Sequence, residues 1–248
     1  MSENANRENA IQLNAVSCAF DGLEVLRNFS LQVTRGEFVA LVGPSGCGKT
    51  TLLDIISGHR TPNAGSVSAS GRIRTIYQKD GLFPWLTARQ NILLGLRETE
   101  PKAERSRQLE ELLALIKLEE FADYYPRQLS GGMRQRVELA RALAGDSDIL
   151  LMDEPFSSLD YQTRLRMRHE LIRLLAQRPR TVALVTHDLE EAAQLADRIF
   201  VLTERPAQIR RELRVMLARP RDLTHPEVIE TMRQMVDTLG LGGASLAE

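Results

Sequence analysis

Short, almost unbroken apolar runs punctuate the chain at Phe38–Val42, Ile149–Met152, Thr181–Val185 and Ile199–Leu202. Runs of that length and continuity suit parallel strands buried on both faces. Ahead of them, Ile11–Phe20 and Val25–Val33 alternate in part between apolar and polar positions. They read as strands of an antiparallel sheet, to which Gly65–Ser70 adds a third, and Ile73–Tyr77 is a further apolar run. Elsewhere the spacing is helical. Leu52, Leu53, Ile55 and Ile56 place a helix over Thr51–Ser57. Leu109, Leu112, Leu113 and Ile116 mark another, and Met133, Val137, Ala140 and Ala144 a third, with Ser130 at its N-cap and Gly145 at its C-terminal cap. A helix follows at Leu189–Ala196. The last, burying Val228, Met232, Met235 and Leu239, has Thr224 and Glu227 as a capping-box pair and Pro226 in its first turn. Strands alternating with helices predict an α/β fold.

Organisation follows from the same texture. Residues 1–10 are polar and read as disordered. Residues 11–79 and 146–205 form the core with its antiparallel β subdomain, 80–145 an inserted α-helical subdomain, and 206–248 a short helical C-terminal extension ending in a frayed LGGASLAE.

The 248 residues carry 32 basic and 33 acidic side chains, a net charge of −1, which gives no global case for nucleic acid or an anionic membrane. Arginine clusters such as Arg164–Arg168 and Arg205–Arg214 are interleaved with acidic or apolar residues and read as solvated faces. Two cysteines, Cys18 and Cys47, cannot build a disulfide framework and fit a reducing compartment. The opening MSENANRENA has no signal-peptide core, and no apolar run is long enough to cross a bilayer. Work at a membrane would therefore pass through a partner.

Chemistry begins where Phe38–Val42 runs into GPSGCGKT and then a helix. This is G-x-x-x-x-G-K-T in its required strand–loop–helix setting. The loop comprises Gly43, Pro44, Ser45, Gly46, Cys47, Gly48, Lys49 and Thr50, followed by Thr51. Its glycines let N–H groups converge on phosphate oxygens, Lys49 neutralises the β/γ-phosphates, and the Thr50 hydroxyl can ligate Mg²⁺. The chain is thus expected to bind a nucleoside triphosphate. ILLMDEPFSSLD delivers Asp153 at the end of a buried strand, placed to hold Mg²⁺, with Glu154 next to it to polarise the attacking water. Gln78 follows the Ile73–Tyr77 run, and His187 follows the Thr181–Thr186 strand; both sit at strand ends suited to sensing a γ-phosphate, Gln78 also as a Mg²⁺ contact. A second anion cradle lies in LSGGMRQRVELARAL, where Ser130, Gly131 and Gly132 open a helix.

The order Gly43–Thr50, Gln78, LSGGMRQ, ILLMDE, SSLD, His187 resembles the nucleotide-binding subunits of ABC transporters over residues 11–205. The resemblance implies a P-loop NTPase core of mostly parallel sheet flanked by helices, with ATP and Mg²⁺ as cofactors. It implies that Ser130, Gly131 and Gly132 contact the γ-phosphate of ATP held by a second copy, in a head-to-tail homodimer with two ATP sites. It also implies that Asp160 couples those sites and that Phe20, in place of the family's usual Tyr, stacks on adenine.

DGLFPWLTARQNI, MRQRVELARAL, VTHDLEEAAQLADRI and ARPRD resemble the nitrate, taurine and aliphatic-sulfonate importer ATPases. Such a protein works on the cytoplasmic face of the inner membrane, drives a separate permease subunit, and meets a periplasmic or extracellular solute-binding protein only indirectly. Phe83, Pro84, Trp85 and Leu86 are candidates for the groove that takes a coupling helix of the permease; packing of Trp85 within the helical lobe is the equal alternative. A lipid or other small-molecule transporter, and a soluble ABC ATPase without a membrane role, remain as other readings. The solute is left open.

Overall fold

The computed structural model describes residues 8–77, 81–96 and 101–241. In chain order the strands and helices are β1 (Asn9–Phe20), β2 (Leu23–Thr34), β3 (Phe38–Val42), α1 (Lys49–Ile56), β4 (Ala64–Ala69), β5 (Ile73–Ile76), α2 (Ala88–Leu93) and α3 (Lys102–Ile116). After these come α4 (Gly131–Ala144), β6 (Ile149–Asp153), α5 (Tyr161–Gln177), β7 (Thr181–Thr186), α6 (Leu189–Leu195), β8 (Arg198–Leu202), β9 (Ile209–Arg214) and α7 (Pro226–Leu239). The fold is α/β, with an antiparallel N-terminal sheet. The chain divides into two compact units, residues 1–71 with 178–248, and residues 72–177.

In the first unit β1 lies between β2 and β4, antiparallel to both. The β1–β2 hairpin turns on Asp21 and Gly22, both at positive φ (47° and 83°), the Asp-Gly signature of a tight primed turn. β1 begins at Asn9, two residues ahead of the expected start, and Ala10 is buried. The other sheet of this unit runs β7, β3, β8, β9. Its first three strands are parallel, and β3 and β7 are buried at every position, as continuous apolar runs require. β9 pairs antiparallel with β8, so the segment after residue 205 contributes a strand as well as α7.

Parallel register places the strand ends. Val42 of β3 pairs with Thr186 of β7 and with Val201 of β8. The loop after Val42 and the residue after Thr186 therefore leave the sheet at the same edge.

The second unit holds the parallel pair β5–β6, Ile76 opposite Met152, with α2 to α5. α2 starts with a capping box made by Thr87 and Gln90. α4 starts at Ser130, whose side chain accepts from the Met133 N–H.

Gly145 caps α4 as expected, in extended backbone (φ −86°), and a Cβ there would overlap the Arg74 guanidinium. Two expectations change. Thr224 does not cap α7. Its hydroxyl and N–H go to Asp222, and His225 Nδ1 takes the Glu227 N–H instead. Arg168, read as part of a solvated face, is fully buried. No helix among the described residues is long and apolar enough to cross a membrane.

Candidate functional site

The loop after β3 is an anion cradle by construction. Gly46 (φ 73°) and Gly48 (φ 120°) adopt backbone that other residues resist, and a Cβ on Gly48 would lie 2.7 Å from Val25 Cγ1. Gly43 is equally close-packed, with Leu202 Cβ 3.0 Å from where its own Cβ would stand. α1 then begins with no side-chain cap and no acidic residue in its first turn, which leaves its N-terminal N–H groups for an anion.

Lys49 is buried, 6% exposed, and a buried ammonium must be bonded. Its Nζ donates to Gly43 O at 2.7 Å and Pro44 O at 2.8 Å, which arches the side chain back over the loop. A phosphate entering the loop meets that charge already in place. Thr50 stands exposed beside it, and Ser45 and Gly46 form the open lip. Cys47 is buried with its Sγ 4.0 Å from Lys49 Nζ, and burial pushes its thiol above the ordinary range. Phe20, half-buried, has the Arg60 guanidinium 4.2 Å over its ring. His187, exposed directly after β7, emerges beside this loop because Thr186 and Val42 are paired. The residue after it, Asp188, caps α6 by accepting from the Glu191 N–H at 3.0 Å.

In the second unit Asp153 ends β6 buried, 3% exposed, with Glu154 following at φ 48°, a left-handed conformation costly for a residue with a Cβ. Several bonds hold that turn. The Glu154 carbonyl accepts from Ser157 N and Oγ at 3.2 and 3.0 Å, and from Gln135 Nε2 at 3.2 Å. Gln135 Oε1 in turn receives Ser158 N at 3.2 Å and Ser158 Oγ. The helix that Ser130 opens is thereby tied to the segment that carries Glu154. Gly132 packs on the same segment, with Leu159 Cδ2 3.3 Å from where its Cβ would be. Gln135 closes the LSGGMRQ segment, but the sequence assigns it no partner; its bonds to Glu154 and Ser158 emerge only in the fold.

Ser130 is exposed at the start of α4, with Gly131 and Gly132 half-buried behind it. Its Oγ accepts from Met133 N at 3.2 Å, leaving the hydroxyl proton to donate outward. Asp160 is exposed; it accepts from the Thr163 N–H at 3.0 Å, and that bond holds its carboxyl below the usual range. Gln78 lies outside the described residues. Phe83 and Trp85 have ring centroids 5.4 Å apart, and Trp85 is 68% exposed, so it does not fill the core of the helical lobe.

The structure thus brings together Gly43–Thr50 with His187 in one unit, and Asp153, Glu154 and the Ser130 helix in the other. The donor set suits a triphosphate: an uncapped helix start, glycine amides and one buried ammonium. Thr50 in the first unit carries a hydroxyl and Asp153 in the second a carboxylate, each an oxygen donor of the kind Mg²⁺ prefers.

Comparison with known proteins agrees. The ABC transporter family profile matches residues 26–157. An aliphatic sulfonates import ATP-binding protein of Bacillus subtilis is 41% identical over 220 residues, 86% of this chain and 85% of that protein. A spermidine/putrescine import ATP-binding protein of Oleidesulfovibrio alaskensis is 42% identical over 212 residues, 81% of this chain; the match spans 57% of that longer relative. The dimeric structure of a post-hydrolysis state of an ATP-binding cassette bound to ADP and Pi superposes with a TM-score of 0.75 at 32% identity, covering 84% of this chain and all of that one. The chain belongs to the ABC transporter family, as an ATP-binding and ATP-hydrolysing subunit of the importer type.

Proposed function

We propose that this chain is the motor of an importer for a small solute, an aliphatic sulfonate in first place, and that it works as a head-to-tail pair closed around two ATP molecules. The observation that carries the pairing is the exposed, glycine-flanked start of α4 with Ser130, a second anion cradle that the chain's own phosphate loop does not need. The sulfonate assignment is supported by a relative of that name matching over 85% of its own length, against 57% for the polyamine relative.

In this reading the Gly43–Thr51 amides and Lys49 grip the phosphates, and Phe20 stacks on adenine. Ser130, Gly131 and Gly132 meet the γ-phosphate of the opposing chain's ATP. Thr50, Asp153 and Gln78 would hold Mg²⁺, which would supply charge neutralisation to the triphosphate. Glu154 accepts a proton from water as the water oxygen bonds to the γ-phosphorus and the bond to the ADP oxygen breaks. His187 and Gln78 sense the γ-phosphate, and Asp160 couples the two sites. With inorganic phosphate formed, nothing bridges the cradles and the pair opens. Residues 80–145 act as the signature subdomain. Phe83, Pro84, Trp85 and Leu86 face a permease at the cytoplasmic side of the membrane, and a solute-binding protein delivers cargo from outside. Turnover per chain measured across a dilution series tests the pairing. It should fall as lone chains come to dominate; a constant value would refute it.

A further inference from the structure

The turn that leaves β8 carries a cation to the mouth of the phosphate loop. Arg205 is exposed, and its Nη2 lies 3.6 Å from where a Cβ on Gly46 would stand. Its charge also reaches Cys47, where it opposes the effect of burial on the thiol. Ser45 and Gly46 are exposed, so this guanidinium stands at the open side of the loop.

The backbone under Arg205 is fixed from both flanks. The Thr203 N–H donates to Gln208 O and the Gln208 N–H to Thr203 Oγ1, both at 3.0 Å, which closes the turn on itself. Ala207 is fully buried, bridges to Leu26 and donates its N–H to Val25 O at 2.8 Å. Val25 also packs against Gly48, and Leu202, where β8 ends, packs against Gly43. The phosphate loop and the Arg205 turn therefore rest on one apolar layer. With its backbone held, the side chain has only its own rotamers to lose when it forms a bond.

The path of Lys49 indicates which phosphate comes within reach. The free N–H groups at the start of α1 form the inner end of the loop and suit the α- and β-phosphates. Lys49 arches away from that helix to Gly43 O and Pro44 O, which draws the β- and γ-phosphates toward the outer half of the loop. Gly46 belongs to that half. There a buried ammonium and an exposed guanidinium approach from different sides, the second as a planar fork that matches phosphate oxygens.

We propose that Arg205 is a further nucleotide-binding residue, its guanidinium bonding the terminal phosphate of a triphosphate held by Gly43–Thr50 and so favouring ATP over ADP. This rests on the reading of that loop as the phosphate cradle and adds a residue that distinguishes the two nucleotides. ADP lacks the group that Arg205 grips, so hydrolysis removes one tether and eases exchange.

The test is equilibrium binding to the full chain, dilute enough to be single, of ADP and of an ATP analogue with an imido β–γ bridge. Arg205→Ala should weaken the analogue about tenfold, the worth of one charged hydrogen bond, and ADP by less than about twofold. Arg205→Lys should recover part of the loss, because it keeps the charge without the fork. The ratio of the two affinities on one preparation does not depend on the fraction of chains that fold. Analogue affinity within about twofold of the parent, or an equal loss for ADP, overturns the assignment of Arg205 alone. Lys49→Ala should lose both nucleotides; if it keeps both at parental affinity, the cradle reading fails and this proposal with it.

Discussion

Gln135→Ala isolates a contact made by the residue that closes LSGGMRQ. The parent side chain is buried, 7% exposed, and makes three bonds: to Glu154 O, from Ser158 N and from Ser158 Oγ. At about 0.5–1.5 kcal/mol net each, their loss removes roughly 1.5–4.5 kcal/mol of local restraint. Glu154 sits at φ 48°, a conformation that costs about 1–3 kcal/mol and persists only while its surroundings hold it. The two figures are comparable, so the turn is expected to relax. A shift of about 1 Å in a catalytic group costs on the order of 10² in rate. The phosphate loop lies in the other compact unit, so nucleotide affinity should stay within about twofold, a change under roughly 0.5 kcal/mol. Gln135→Glu keeps an acceptor for Ser158 but loses the donation to the Glu154 carbonyl; its rate should fall between the two. Steady-state ATP hydrolysis and equilibrium nucleotide binding, measured on the same preparations, separate these effects. Parental turnover in Gln135→Ala would refute the role assigned to this contact, and an equal fall in affinity and rate would make it a general fold defect.

Other consequences are simpler. Glu154→Gln should retain ATP binding while turnover drops by about 10²–10³, the usual worth of one such group, with ATP accumulating in a dimer visible by size-exclusion chromatography. Gly48→Ala forces a Cβ to within 2.7 Å of Val25 Cγ1 at φ 120°; backbone strain and overpacking of about 1–3 kcal/mol each should appear as a lower denaturation midpoint together with lost nucleotide binding. Cys47 should resist alkylation. Burial raises its thiol above the usual value, so reaction in the folded chain needs a higher pH than a free cysteine, and the folded state loses stability as pH climbs from the unfolded thiol value toward the raised one. Alkylation as fast as in the denatured chain near pH 8, about the range where a free thiol begins to ionise, would contradict that burial.

The strands that carry the nucleotide chemistry were legible because burial on both faces demands unbroken apolar runs, as in β3, β6 and β7. β9 was not. Its sequence IRRELR exposes charges along an edge strand and buries Leu213 alone, so no clear period-two signal survives. Capping competitions are equally hidden: Thr224 and His225 both qualify at the start of α7, and the choice turns on Asp222 taking the Thr224 hydroxyl. Gly145 was legible as the cap of α4, but the Arg74 guanidinium against the place of its missing Cβ was not. The phosphate loop and the Ser130 helix start carry local requirements that single residues satisfy. The Gln135 link depends on two segments about twenty residues apart, Gln135 on α4 and Glu154–Ser158 after β6.

Mixing two inactive chains tests the shared site most directly. Lys49→Ala disables a chain's own phosphate grip, and Ser130→Arg disables what it offers to its partner; each alone should be nearly inactive. In a random mixture about half of the dimers are mixed, and each of those has one site built from two intact halves. Activity should therefore appear on mixing, approaching about a quarter of the parental sites. A mixture as inactive as its two inactive components, or Ser130→Arg chains that hydrolyse ATP at the parental rate unaided, would contradict the shared site.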